Sequence, residues 1–141
     1  MSVYLDASLV VAILANEPRS ADARAWLDAQ AVGELVISDW TITEVSSALA
    51  LKLRVGRITE PDRAKALAAF HGLLDDSFTI LPIGGPTFRA AAAIADRADL
   101  GVRAGDALHL AAAMEHGCTL WTLDKRQAEA GPAIGVATEL L

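Results

Sequence analysis

The chain carries one cysteine, Cys118, in 141 residues. A single thiol can neither close an intrachain disulfide nor build a cysteine-rich zinc site, and a reducing compartment is expected. Aromatic residues make up only 5%, so the core must rest on aliphatic packing. Positive charge is scarce too: 12 Lys and Arg stand against 18 Asp and Glu, for a net charge of −6. A protein that holds nucleic acid through its overall field is normally basic. Any such contact here has to come from local patches or from metal ions. No uncharged apolar stretch approaches the ~20 residues of a membrane-spanning helix. The opening MSVYLDAS has no basic segment leading into a long apolar run, so no signal peptide and a cytoplasmic location are expected. Linkers, repeats and low-complexity stretches are also absent. With this length, that points to one domain over residues 1–141 around one hydrophobic core.

What is present is 53% hydrophobic and arranged in alternation. Short β-branched or apolar runs at Val3–Leu5, Leu35–Ile37, Phe78–Leu81, Thr119–Thr122 and Ile134–Ala137 read as strands. Helical patterns lie between them at Ser8–Ala15, Ala21–Gln30, Trp40–Val55, Glu60–Asp75, Thr87–Ala98 and Gly105–His116, with a short helix after Asp124. Thr59 suits an N-cap with Pro61 in the first turn, and Gly56 suits a helix stop. Strands joined through helices need crossover connections. The pattern therefore predicts an α/β fold, a three-layer α/β/α sandwich with a central, mainly parallel sheet. Such sheets bind ligands outside the carboxyl ends of their strands, so polar residues at those ends are the candidates for chemistry.

Asp6 follows the first strand, Asp39 the second and Asp124 the fourth, while Glu44 and Asp106 lie near helix starts. Each one alone is explained by helix capping or by the helix dipole, worth about 0.3–1 kcal/mol. Glu44 and Asp106 fit that explanation less well. No other charge lies between Glu44 and Lys52, and the helix is apolar nearly all round, which leaves Glu44 half-buried. From Ala107 to Met114 only His109 is not aliphatic, so Asp106 heads a helix that should be buried. Buried carboxylates without Lys or Arg in the same apolar stretches need a cation between them. Magnesium takes oxygen ligands and keeps several waters, so a few carboxylates suffice. His109 shares a face with Asp106 at i+3, where a packed, hydrogen-bonded histidine is expected over a ligand. His71, His116 and Cys118 have no ligand spacing with one another.

The stretches YLDAS at 4–8, TEVSSAL at 43–49, GDALHLAAA at 105–113 and TLDKR at 122–126 resemble the acidic motifs of the PIN domain. In length and motif style the chain is most similar to the VapC toxins of bacterial toxin–antitoxin pairs. The resemblance runs from Tyr4 to about Val136. It implies a small α/β/α fold and a metal-dependent endoribonuclease that cleaves RNA phosphodiester bonds through metal-activated water, leaving 5′-phosphate and 3′-hydroxyl ends. It makes Asp6, Glu44, Asp106 and Asp124 the metal-binding and catalytic acids, with Mg2+ as cofactor and Mn2+ as a substitute. Ser8 and Thr122 match its small hydroxyl positions and would donate to a carboxylate, a metal water or a phosphate. Some relatives carry a further acid after the last Asp. Here Lys125, Arg126 and Gln127 follow instead, leaving Asp124 alone in its motif and a second metal open.

The basic residues near these motifs are Arg103, Lys125 and Arg126, and contact with the RNA backbone is expected of them. The resemblance also implies a homodimer and a cognate antitoxin. The antitoxin would dock in a groove lined by the Trp40–Val55 and Glu60–Asp75 helices, with Trp40, Leu51, Leu53 and Phe70 as candidates. Three alternatives are weaker. A haloacid-dehalogenase-like phosphatase needs a second Asp two residues after the first, where this chain has Ser8. A receiver-like domain needs paired early acids and leaves Glu44 and Asp106 unexplained. A catalytically inactive PIN-fold module that binds RNA or protein predicts missing acids, and all are present.

Overall fold

The first strand lies at the centre of the sheet. β1 (Val3–Leu5) pairs in parallel with β2 (Leu35–Ser38) on one side and with β4 (Thr119–Thr122) on the other. β3 (Thr79–Leu81) and β5 (Thr138–Leu140) form the edges, giving the all-parallel order β3-β2-β1-β4-β5. The structure is a computed structural model and describes residues 1–141.

Parallel neighbours cannot be joined by hairpins, so each connection crosses over through helices. α1 (Ala7–Leu14), α2 (Ser20–Asp28), α3 (Asp39–Arg54) and α4 (Glu60–Asp76) carry the chain outward from β1 to β3. α5 (Gly85–Asp96) and α6 (Ala104–His116) bring it back to β4, and α7 (Lys125–Ala133) leads on to β5. The direction of travel reverses once. Right-handed crossovers then place the outward helices on one face and the returning helices on the other.

The sheet residues sort accordingly. Leu5, Leu35 and Ile37 join the core beneath α1–α4, while Tyr4, Val36 and Leu120 join the core beneath α5–α7. This is the two-residue alternation of a strand buried on both faces.

Capping boxes at Ser38/Thr41 and Thr59/Asp62 start α3 and α4. In α6 every residue from Ala107 to Ala113 is buried. Its alanine-rich surface lies along the alanine-rich α5, where short side chains permit close approach. The helix stops at Gly117, whose φ of 64° is the left-handed conformation that favours glycine.

One expected strand is corrected. Ile134–Ala137 is not a strand, and β5 begins at Thr138. α7 runs on to Ala133, Gly135 turns the chain at φ 80°, and the Val136 N–H donates back to the Gly131 carbonyl at 2.9 Å. Val136 is buried because it plugs the core under α7, not because it pairs. A short apolar run does not by itself distinguish a strand from a buried turn. The remaining element boundaries agree with the sequence reading to within two residues.

The strand order reverses between β1 and β4. At such a switch point the two crossovers part and leave a crevice at the carboxyl ends of the strands. Asp6 follows β1 and Asp124 follows β4, so Asp6 lies beneath it and Asp124 on its wall.

Candidate active site

Asp6 is only 3% exposed. It caps α1, accepting from the Leu9 N–H at 3.1 Å through Oδ1. The same oxygen accepts from Ser8 Oγ at 2.7 Å, and Oδ2 accepts from Thr122 Oγ1 at 2.6 Å. Both hydroxyls are themselves bound from behind. Ser8 Oγ accepts from the Leu123 N–H at 3.1 Å, and Thr122 Oγ1 from the Asp124 N–H at 2.9 Å. The chain leaving β4 is thereby tied to the chain leaving β1. Despite these donors, burial pushes the Asp6 carboxyl above its ordinary value.

Glu44, Asp106 and Asp124 line an open cleft of about 680 Å³ beside this corner, with Arg103, Lys125, Arg126 and Trp40 among the other wall residues. Asp124 caps α7, its Oδ1 accepting from the N–H groups of Arg126 and Gln127 at 2.9 and 3.2 Å. Asp106 caps nothing: the N-cap of α6 is Arg103, and the Asp106 carboxylate has no hydrogen bond within the protein. Burial raises its pKa above the ordinary range, and the charges of Asp124, Glu44 and Asp6 raise it further, against His109, which lowers it. The four acids therefore share one electrostatic neighbourhood. Asp39 does not join them. It is an exposed residue of the first turn of α3.

Glu44 is held by a histidine. Its Oε2 lies 2.9 Å from His109 Nε2, and its side chain is 28% exposed. His109 is fully buried, with Nδ1 2.7 Å from the Tyr4 hydroxyl. Tyr4 and Gln127 escaped the sequence reading. Tyr4 is an aromatic in a strand, indistinguishable from core. Gln127 sits three residues after Asp124 as in a capping box. Its amide instead donates to the Asp106 carbonyl at 3.3 Å, next to Thr122.

No Lys or Arg neutralises these carboxylates. Lys125 reaches only Glu129, at 3.8 Å, and Arg126 donates to the Gly101 carbonyl at 3.3 Å. Arg103, Lys125 and Arg126 are all exposed on the rim. No three of the chain's His, Cys, Asp and Glu side chains are drawn together as a ready-made ligand set. The donor chemistry nevertheless fits a hard divalent cation that keeps its waters. The donors are all oxygen, several are unpaired, and against their mutual repulsion stands no Lys or Arg, only His109 beside Glu44. The residues able to hold such an ion are Asp106, Glu44 and Asp124 from the cleft and Asp6 from beneath it.

The residues expected to line an antitoxin groove on α3 and α4 do not share one surface. Phe70 is 1% exposed and belongs to the core, and Trp40 lines the acidic cleft. Leu53 lines neither surface, and only Leu51 opens onto an apolar groove. That groove, about 880 Å³, runs between α1 and α3 along Ala7, Val11, Ala48, Leu51 and Val55, and it meets the cleft at Glu44 and Arg103. α4 lines a separate groove of about 390 Å³ through Asp62, Lys65, Ala66 and Ala69, with Leu49 of α3 and Ile13 and Leu14 of α1.

The sequence pattern of the PIN domain family matches residues 3–131. No curated protein matches the chain in sequence. Among solved structures, FitAcB from Neisseria gonorrhoeae is 25% identical, with 96% of this chain and 95% of that chain covered and a TM-score of 0.69. VapC20 from Mycobacterium tuberculosis, described as a sarcin-ricin loop cleaving toxin, is 19% identical, with 92% and 95% covered and a TM-score of 0.73. DNA-bound VapBC from Salmonella typhimurium is 20% identical, with 99% and 97% covered and a TM-score of 0.70.

Proposed function

The chain belongs to the PIN domain family, and from that premise we propose that it is a metal-dependent endoribonuclease, the toxin of a toxin–antitoxin pair. The observation that carries this reading is the set of unneutralised acids Glu44, Asp106 and Asp124 around buried Asp6, at the switch point of a parallel sheet. When bound there, magnesium or manganese supplies easier ionisation of water and neutralisation of charge on a phosphodiester.

The chain's own residues do the positioning. Ser8 and Thr122 fix both oxygens of Asp6. The cleft carboxylates exclude a phosphate unless a cation accompanies it. Arg103, Lys125 and Arg126 give the rim a local positive charge for the RNA backbone on an otherwise acidic protein. The α1–α3 groove, apolar with Lys52 and Arg57 at its side, is the docking place for an antitoxin segment that ends near the site. Complexes such as FitAcB and VapBC among the structural neighbours support a partner of that kind. A homodimer belongs to the same proposal and is measured by sedimentation.

The test is incubation of purified protein with structured RNAs and magnesium or manganese, with EDTA as the control. Cleavage is expected with metal and absent with EDTA, and Asp6→Asn and Asp106→Asn should both lose it. Full activity in both variants rejects the site.

A further inference from the structure

Glu44 enters the cleft from α3, and features of other elements decide where its carboxylate stands. On one side is the buried chain of Ser38 Oγ, Tyr4 Oη and His109, with 2.7 Å separating Ser38 from Tyr4 and 2.7 Å separating Tyr4 from His109 Nδ1. A carboxylate only accepts, so His109 Nε2 carries the hydrogen that it donates to Glu44 Oε2 at 2.9 Å. In the neutral ring Nδ1 then accepts from Tyr4, and Tyr4 from Ser38. Tyr4 also packs edge-on to the imidazole, with ring centroids 5.6 Å apart, so the ring is oriented by contact as well as by hydrogen bonds.

On the other side is Gly105. A Cβ added there would lie 2.5 Å from Glu44 Oε1 and 3.3 Å from Trp40 Cζ2. The backbone of Gly105 is helical and has no positive φ, so its conformation does not require glycine. Glycine inside a helix costs up to about 1 kcal/mol relative to alanine. The space it leaves open is where Glu44 Oε1 lies, and that oxygen accepts no hydrogen bond within the protein.

We propose that His109 and Gly105 are positioning residues for Glu44. His109, steadied by Tyr4 and Ser38, holds one carboxylate oxygen, and the bare Cα of Gly105 lets the other lie over the first turn of α6, beside Asp106. A glutamate left free would distribute its carboxylate over several rotamers. Outer partners of this kind contribute about 10–100-fold to metal affinity or activity. The inference rests on the metal-dependent reading of the cleft and adds the residues that make Glu44 competent in it.

The experiment is Mn2+ binding by calorimetry, with circular dichroism and thermal melts on the same samples. The single variants are Gly105→Ala, His109→Phe, His109→Gln, Tyr4→Phe, Glu44→Ala and Asp6→Asn, and the doubles place Gly105→Ala, His109→Phe and Tyr4→Phe in the Glu44→Ala background. Gly105→Ala should fold and melt at or above the parent temperature yet bind Mn2+ about tenfold more weakly or worse. His109→Phe should weaken binding similarly, and His109→Gln, whose amide can still donate, should recover part of the loss. Neither change should weaken binding further once Glu44 is alanine, because a residue acting through Glu44 has nothing left to act on. Should His109→Phe fail to fold, Tyr4→Phe removes one oxygen only and gives the same cycle at smaller amplitude. Undiminished binding in Gly105→Ala, or losses that persist in the Glu44→Ala background, overturns the proposal. Asp6→Asn separates the two levels. If Asp6→Asn and Glu44→Ala both bind Mn2+ like the parent, the metal site itself fails. If Asp6→Asn loses Mn2+ while Gly105→Ala keeps it, only the positioning role falls.

Discussion

Asp6 and Asp106 stand at the same end of the same sheet, and the protein treats them in opposite ways. Asp6 is sealed at 3% exposure, and each of its oxygens accepts from a hydroxyl. Asp106 opens onto the cleft, and its carboxylate accepts nothing. Both have raised pKa values with burial as the largest cause, but only Asp106 is raised further by its acidic neighbours. The Asp6 corner is finished by protein hydrogen bonds alone. The cleft is not, and its unmet repulsion is what a bound cation would relieve. One carboxylate is fixed by the fold before any ligand arrives, and the other is left for the ligand to fix.

Stability measurements can break that division. The largest effect is expected at Thr122, where Thr122→Val removes the donor to Asp6 Oδ2 and the acceptor of the Asp124 N–H. Urea denaturation should register a loss of about 2–4 kcal/mol, the cost of leaving two buried polar groups unpaired, one of them charged. Asp106→Asn breaks no protein hydrogen bond and removes a repelled, half-buried charge, so in metal-free buffer at neutral pH it should be as stable as the parent or more stable. Equal losses at the two positions would erase the distinction between corner and cleft.

A metal titration sharpens it next. Mn2+ at 100 times its dissociation constant should stabilise the parent by about 2.7 kcal/mol. Melting curves with and without EDTA read this shift, and Asp106→Asn should abolish it.

The pH dependence is smaller and its sign is determined. Native Asp6 and Asp106 hold their protons more tightly than the unfolded chain does. Stability of the metal-free protein therefore falls as pH rises from the ordinary aspartate value of about 3.9 through the raised native values, then levels off. Denaturant midpoints measured across this range should show that fall, and saturating Mg2+ should flatten its upper end by favouring the ionised acids.

The smallest effect concerns the rim. Removing the charge of Arg103, Lys125 or Arg126 singly should lower the slope of log affinity against log salt by about 0.7 for each phosphate of single-stranded RNA that is no longer neutralised. Binding titrations in the catalytically silent Asp6→Asn background check this, and unaltered slopes in all three remove these residues from the interface.

Much of this was legible in the chain. The turns after β1 and β4 were readable because a short apolar run ending in Asp is a local signal. Thr59 and Gly56 marked the bounds of neighbouring helices for the same reason. Glu44 and Asp106 stood out as charges on apolar helices, and His109 is the packed histidine that its apolar surroundings suggested. The misses have a common cause. β5 is a three-residue edge strand of partly polar sequence, and the more apolar run before it fills a turn. The resemblance implied a groove lined by α3 and α4, whereas the apolar groove that meets the cleft pairs α3 with α1, from an earlier crossover. Tyr4 and Gly105 stand in the quoted stretches YLDAS and GDALHLAAA, but nothing local showed what they touch far along the chain.

Periodicity and capping act within a few residues, and they set the alternation of strands and helices and which carboxylates would stand at strand ends and helix starts. Which oxygens are paired and which are free follows instead from how the fold closes. Asp6 and Thr122 are separated by 116 residues, and Glu44 and His109 by 65. Their meeting depends on the parallel register that sets Leu5 beside Trp121 and on the packing of α3 against α6. Contacts over such separations come from closing the whole fold, and no local pattern encodes them.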